Sequence, residues 1–189
     1  MPIAPLLKKY AIQQRYFISP NQFWIHKNHS IILEALAQML KENHSLDFEV
    51  VFTGKEFDFR SPDYTTHLKN YVEQNGLSPY VKFLGFIDRK EQLQLMNHAL
   101  AIIQPSLFEG WSTVVEDAKA MNQFLLVSDI PVHREQLKQQ AYFFNPQESQ
   151  DLINLLLRYL DEMPTKQGQS YHVSIEQFAR NFLSIIRFK

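Results

Sequence analysis

Residues 101–129 read AIIQPSLFEGWSTVVEDAKAMNQFLLVSD. Ala101-Ile102-Ile103-Gln104 is an apolar, β-branched run halted by Pro105, which reads as a strand. Residues 113–121 read as a helix. Phe124-Leu125-Leu126-Val127-Ser128 is a second apolar run and a second strand. Strand, helix and strand in this order form a parallel unit closed by a right-handed crossover. Neither strand alternates apolar with polar, so both are expected to be covered on both faces. The loop 105–112 leaves the carboxyl end of its strand, where ligands bind in sheets of this kind.

The same alternation extends in both directions. Tyr16-Phe17-Ile18-Ser19 is a strand stopped at Pro20-Asn21. Ile31, Ile32, Ala35, Leu36, Met39 and Leu40 recur at helical spacing and predict a helix over about 29–42. Residues 48–53 (FEVVFT) are a buried strand ended by Gly54, and 55–63 a loop. A helix around Leu68, Tyr71 and Val72 ends near Asn75-Gly76. Residues 81–84 are a strand stopped at Gly85, and Asp88 can cap a helix over about 89–99. Residues 141–144 are a short sixth strand. Helices follow over about 151–161 and 174–187. The expected architecture is α/β, a doubly wound Rossmann-like domain on a parallel sheet of about six strands. Ligand-facing loops would be 19–28, 54–62, 85–88, 105–113 and 128–134. The expected organisation is a linker or arm over 1–15, the α/β domain over 16–162, and a polar break with a terminal helix over 163–189.

The chain has 189 residues, 45% hydrophobic and 21% charged, the composition of one globular domain. Lys plus Arg is 19 and Asp plus Glu is 20. That balance argues against a nucleic-acid partner, which needs a basic excess or stripe. With no cysteine, disulfides, thiolate metal sites and thiol nucleophiles are excluded. No glycine pattern matches the dinucleotide fingerprint or the Walker phosphate loop. No stretch approaches a bilayer span, and a cytoplasmic location is the expectation.

The loop 105–112 and the helix after it carry the chemistry. Gly110 lets backbone approach a ligand closely. Ser112 or Thr113 can cap the helix, with Glu116 at capping-box distance from Thr113. Free amides at that helix start suit an anion. Glu109 and Glu116 are carboxylates able to accept from sugar hydroxyls. The alternative is a capped strand–turn–helix with nothing bound, in which Glu116 caps and Glu109 is a solvated loop charge.

Residues 105–120 resemble the P-S-x-x-E-G-F-G-x-x-x-x-E-A signature of the family 4 glycosyltransferases. Three further landmarks follow that family in order. Residues 21–29 (NQFWIHKNH) resemble its basic loop after the first strand. Residues 81–87 (VKFLGFI) resemble its V-x-F-L-G-x-[VI] turn, and 127–135 (VSDIPVHRE) its A-S-D-I-P-x-x-R-E segment. The resemblance covers about residues 10–162. It implies the C-terminal, donor-binding half of a GT-B fold. The implied activity is glycosyl transfer from a nucleotide-sugar with retention of configuration and no bound metal or other cofactor.

The resemblance also implies roles. Glu109 and Lys27 are the candidate catalytic residues, Glu109 on the donor sugar's hydroxyls and Lys27 on the diphosphate. Glu116 would hold the ribose, and Phe86 and Ile87 would face the base. Ser112 and Thr113 would offer amides to the phosphates. Asn21, Gly54, Gly110 and Trp111 complete the candidate substrate-binding set.

Three departures stand out. Six residues separate Glu109 from Glu116, one fewer than in the signature, and Trp111-Ser112 replaces Phe-Gly. The arginine that the family pairs with its lysine is absent, Asn21 or Gln22 standing nearest, and a protonated His26 is one way to supply its charge. Finally, 189 residues hold only one of the two domains of such an enzyme. The chain is then a fragment, or the acceptor-binding half is a partner chain, and any membrane association would come through that half. Turnover by this chain alone would need the acceptor domain. Ile175, Phe178, Phe182, Ile185 and Ile186 of the last helix would lack a partner, so that helix could cross to the other domain, fold back or form a homo-oligomer. The competing class is a non-catalytic binding or interaction domain that keeps the fold. The short glutamate spacing and the missing arginine favour it; Glu109, Glu116 and Lys27 oppose it.

Other signals carry less. His26 and His29 lie three apart but lack a third metal ligand. Ser106 and Ser112 lack a nucleophile-elbow context. Phe57 and Phe59 are either a lid or surface packing.

Overall fold

The computed structural model describes residues 2–13, 15–42, 44, 46–137, 141–162, 164 and 171–186. Six strands form one sheet: β1 Arg15–Ser19, β2 Phe48–Phe52, β3 Val81–Phe83, β4 Ile102–Gln104, β5 Leu125–Ser128 and β6 Tyr142–Phe144. Their order is β3-β2-β1-β4-β5-β6 and every pairing is parallel. This is the doubly wound Rossmann-like arrangement expected. Its strand order reverses between β1 and β4, and crevices for ligands open at the carboxyl ends there.

The helices are α1 Ile3–Lys9, α2 His29–Lys41, α3 Tyr64–Gln74, α4 Arg89–His98, α5 Thr113–Ala120, α6 Pro131–Leu137, α7 Ser149–Glu162 and α8 Tyr171–Ile186. Side chains alternate across the sheet and build two cores. Phe17, Phe48, Val50, Phe52 and Ile103 face α2, α3 and α7. Tyr16, Ile18, Val51, Ile102 and Val127 face α1, α4, α5 and α6. Each fully buried Phe, Ile, Leu or Val contributes roughly 1.5–3 kcal/mol of transfer free energy, so both faces are anchored.

Two expectations need correction. Where a linker or arm was expected over 1–15, Ile3–Lys9 form α1 and Arg15 opens β1. Leu6 and Ile12 are buried in the second core, and Lys9 and Tyr10 both bond Glu91 on α4. Residues 131–134, expected to belong to a loop, instead open α6. The apolar content of that helix is small, and Leu137 alone joins the core. The polar break falls mostly outside the described residues. On α8, Phe182 and Ile186 are exposed, and the side chains of Ile175, Phe178 and Ile185 lie outside the described ones.

Candidate functional site

A cleft of about 350 Å³ opens beside the carboxyl ends of β1, β2 and β3. Pro20, Asn21, Trp24 and Lys27 line it from the loop after β1. Gly54 and Lys55 line it after β2, and Phe86 and Ile87 after β3. Arg89 and Gln92 of α4 and Thr113, Val114 and Asp117 of α5 close the other side. Lys27, Lys55 and Arg89 line it with one carboxylate, Asp117; Arg89 pairs with Asp117 and Lys27 with Glu109 behind it, so Lys55 is the lining cation without an ion pair among the described residues. That small net excess suits an anionic ligand. Thr113 and Val114 are the first residues of α5, where amides have no intrahelical acceptor and the helix dipole favours negative charge.

The loop after β1 is held by its own geometry. A 3-10 turn over Ile25–Lys27 ends at Asn28, whose φ of 55° lets it also open α2. Asn28 Nδ2 donates to the carbonyls of Pro105 and Pro146, and the Leu107 amide donates to the His26 carbonyl. The loops after β1 and β4 are therefore clamped together at the point where the strand order reverses. Gly54 has φ of 149°, and a Cβ there would meet the Asn21 carbonyl oxygen at 2.1 Å. Only glycine lets the loops after β1 and β2 approach this closely.

That clamp brings Lys27 to Glu109. Glu109 Oε1 accepts from Lys27 Nζ at 2.6 Å, from Ser106 Oγ at 2.7 Å and from Gln104 Nε2 at 2.8 Å. All three bonds fall on Oε1; among the described residues Oε2 accepts none. Burial opposes ionisation of Glu109, but the bonds from Lys27 and Ser106 and the Lys27 charge outweigh it and hold the carboxyl below its ordinary value. The result is an ionised, oriented carboxylate with one oxygen saturated inside the protein; Glu109 does not itself line the cleft and borders it through Lys27, which does.

The helix start takes one of the two expected caps. Ser112 caps α5, its Oγ accepting from the Val115 amide, so Glu116 is not at capping-box distance from the cap. The Ser112 amide is spent on Gln136 Oε1 at 3.1 Å, which leaves Thr113 and Val114 as the residues facing the cleft. Glu116 is held by Gln136 Nε2 at 2.9 Å and Lys119 Nζ at 3.1 Å, and does not line the cleft. Its neighbour Asp117 does, paired with Arg89. Seven residues lie between Glu109 and Asp117, a count that would have found Asp117 from the sequence. Arg89 and Lys55 carried no such signal, because their place on the cleft depends on tertiary packing.

The remaining candidates divide. Phe86 is exposed and Ile87 half-buried on the cleft wall. Gly110 and Trp111 are exposed beside Glu109, and a Cβ on Gly110 would meet nothing within 4 Å. Asn21 lies at the cleft, but its amide donates inward to Gln104 Oε1 and Ser19 Oγ. His26 does not supply the missing charge: burial, then Lys27, pushes its pKa down. Phe57 and Phe59 are exposed and do not line the cleft. Among the described residues no three His, Cys, Asp or Glu gather as a metal site, and no helix is long and apolar enough to cross a membrane.

Comparison with known proteins gives a consistent result. The family model for glycosyl transferases group 1 matches residues 6–174. O-antigen chain mannosyltransferase RfbU of Salmonella typhimurium strain LT2 is 30% identical over 153 residues. That is 80% of this chain but 40% of the relative, so the chain spans well under half of that protein's length. Anabaena Alr3699/HepE, solved in complex with UDP, superposes with a TM-score of 0.75 at 21% identity, covering 87% of this chain and 44% of that one. The C-terminal domain of the group 1 family protein LpcC from Francisella tularensis superposes with a TM-score of 0.69 at 21% identity. It covers 83% of this chain and 81% of that one.

Proposed function

The chain belongs to the glycosyl transferases of group 1, as the C-terminal domain of their GT-B fold, and from that premise we propose that its cleft binds a nucleoside diphosphate sugar as glycosyl donor. The observation that carries this reading is the Glu109 carboxylate, ionised beside Lys27 with Oε1 saturated and Oε2 left to accept sugar hydroxyls. Lys27, Lys55, Arg89 and the first amides of α5 are the groups for the diphosphate, Lys27 and Arg89 acting with their charge partly offset by Glu109 and Asp117. Asp117 takes the ribose in place of Glu116, and Phe86 and Ile87 face the base.

In the transfer, the bond from the sugar's anomeric carbon to the diphosphate breaks and one to an acceptor hydroxyl forms, with retention of configuration. Lys27 stabilises the charge that develops on the departing diphosphate. The acceptor would be positioned by a second domain, and positioning supplies roughly 7–11 kcal/mol of such barriers. This chain alone would therefore bind donor but turn over slowly. Exposed Leu183 and Ile186 of α8 are a surface for that domain or for a second copy. The class of fold without chemistry loses one of its supports, since Asp117 stands where the signature's second carboxylate does. UDP complexes of a structural neighbour favour a uridine donor, and the mannosyltransferase relative favours a mannosyl group.

The test is calorimetric titration of the chain with UDP, GDP and ADP, then with UDP-glucose, GDP-mannose and ADP-glucose, with and without magnesium. Saturable binding of one nucleotide, tighter with its sugar and unchanged by magnesium, is expected. A folded chain that binds none of the six at millimolar concentration refutes the donor role.

A further inference from the structure

Behind Glu109 lies a buried pair of amides that the donor reading leaves without a role. Gln104 is fully buried and Asn21 is 3% exposed. They belong to the ends of the two strands between which the sheet order reverses: Gln104 is the last residue of β4, and Asn21 follows β1 by two residues. Asn21 Nδ2 donates to Gln104 Oε1 at 2.8 Å. Gln104 Nε2 donates to Glu109 Oε1 at 2.8 Å and also reaches Ser112 Oγ, the α5 cap, at 3.4 Å.

We infer that Asn21 and Gln104 form a positioning relay which holds the Glu109 carboxylate with Oε1 turned inward onto Lys27, Ser106 and Gln104 and Oε2 left for a ligand. The relay's role in donor binding rests on the proposed nucleotide-sugar site.

Matching of donors to acceptors fixes the relay. A carboxylate only accepts, and an amide offers a donor at one end and an acceptor at the other. If the Gln104 amide turned over, its oxygen would face Glu109 Oε1 across 2.8 Å with no proton between them. Its nitrogen would then face the Asn21 nitrogen, two donors with no acceptor. Both mismatches would be buried, where unsatisfied polar groups are most costly. Glu109 and Asn21 therefore set together which way Gln104 points, one as its acceptor and the other as its donor, and Gln104 decides what Glu109 meets. Asn21 Nδ2 also donates to Ser19 Oγ at 3.3 Å, and the Asn21 backbone carbonyl lies against Gly54, which fixes the main chain that carries the amide. An asparagine whose amide is spent inward is a positioning residue, not a contact for the diphosphate.

Three variants test the relay: Gln104→Met, which removes the donor at similar size; Asn21→Leu, which removes the Asn21 donor without adding a charge; and their double mutant. Asn21→Ala stands in if Asn21→Leu does not fold by circular dichroism. Two readouts are taken on each. One is the titration midpoint of the Glu109 carboxyl by carbon NMR. The other is the gain in affinity that the sugar brings, from the Kd ratio of UDP to UDP-glucose, or of the nucleotide pair that the parent prefers.

Each single variant should raise the Glu109 midpoint and cut the sugar gain about tenfold, the effect of losing one hydrogen bond to a charged group. Affinity for the bare nucleoside diphosphate should stay within about twofold. The double mutant should match Gln104→Met alone, because Asn21 acts only through Gln104. Unmoved midpoints, or additive losses in the double mutant, overturn the relay. If the midpoints rise as expected while the parent shows no sugar gain, the relay stands and the donor reading falls.

Discussion

The Lys27 ammonium lies 2.6 Å from Glu109 Oε1, with the two side chains only 12% and 8% exposed. Removing one member of such a pair strands the other charge out of water. Lys27→Met should destabilise the fold by about 1–3 kcal/mol near neutral pH, the range for an unpaired buried polar group. The loss is kept moderate because Ser106 and Gln104 still donate to Glu109. The pH dependence gives the sign. Glu109 titrates below its ordinary 4.5 when folded, so its pairing stabilises above that value and is lost as pH falls through the folded value. Urea unfolding from pH 7 to 3 should show this acid loss in the parent and a shallower one in Lys27→Met. Equal slopes would mean that the pair is not formed in solution.

His29 makes a separate pH prediction. Its ring stacks on Phe23 with centroids 4.5 Å apart and is fully buried, with neither nitrogen meeting hydrogen-bond geometry. Burial pushes its pKa down to about 3; the Asn21 backbone favours the charged form but does not offset this. The unfolded chain therefore takes up a proton near 6.5 that the folded chain refuses, and stability falls as pH drops below 6.5. Between pH 6.5 and 5 the loss should reach about 2 kcal/mol. His29→Phe keeps the stack and removes the proton site, so its stability should be flatter over that interval. A parent whose urea midpoint holds constant from pH 7 to 5 would contradict this.

Much of the fold was readable because its strands are unalternating apolar runs ended by Pro20, Gly54, Gly85 and Pro105. Such runs fit only a sheet covered on both sides. The short helices were harder. Residues 1–15 read as linker because Pro2 and Pro5 precede one short apolar patch, Leu6-Leu7, and the helix over 3–9 is held by tertiary contacts with α4. At the site, Lys27 and Glu109 were identifiable as residues, but not as a bonded pair 82 positions apart. Gln104 carried no sequence signal, since a polar residue closing an apolar strand reads as a terminus. Asn21 was read as a ligand contact because only its surroundings show that its amide points inward.

Asp117 and Glu116 are adjacent, and only Asp117 lines the cleft. Asp117→Asn should raise the Kd for the preferred nucleoside diphosphate about tenfold, in keeping with hydrogen bonds to a charged group. Glu116→Gln keeps an acceptor for Gln136 and should change it less than twofold. Calorimetry on both variants decides the matter; a larger loss at Glu116 would return the ribose role to that residue.

Leu6 tests whether α1 is an integral part of the domain. It is 3% exposed and packs in the core shared with α4 and α5. Truncation of a buried leucine costs about 2–5 kcal/mol, depending on how far the site collapses. Leu6→Ala should lie toward the lower end of that range, because α1 is short and terminal and can shift. A change below about 0.5 kcal/mol, the size typical of surface substitutions, would mean that the helix is detached in solution.

Gly54 links the fold to the site most directly. A Cβ there would overlap the Asn21 carbonyl at 2.1 Å, and the contact is backbone, so no side chain can swing aside. The φ of 149° adds strain for any other residue. Gly54→Ala must push the loop after β2 away from the loop after β1, which carries Asn21 and Lys27. Stability should fall by at least about 1–3 kcal/mol, the scale of backbone strain alone. The accompanying shift should also weaken nucleotide binding, since Lys55 follows Gly54 directly and lines the same cleft. Gly110→Ala is the internal comparison: that position has open space and no positive φ, so stability should be nearly unchanged. Binding of the nucleotide-sugar should still suffer there, if the space beside Glu109 belongs to the donor. A Gly110→Ala chain that is both stable and fully competent for the nucleotide-sugar would place the sugar elsewhere.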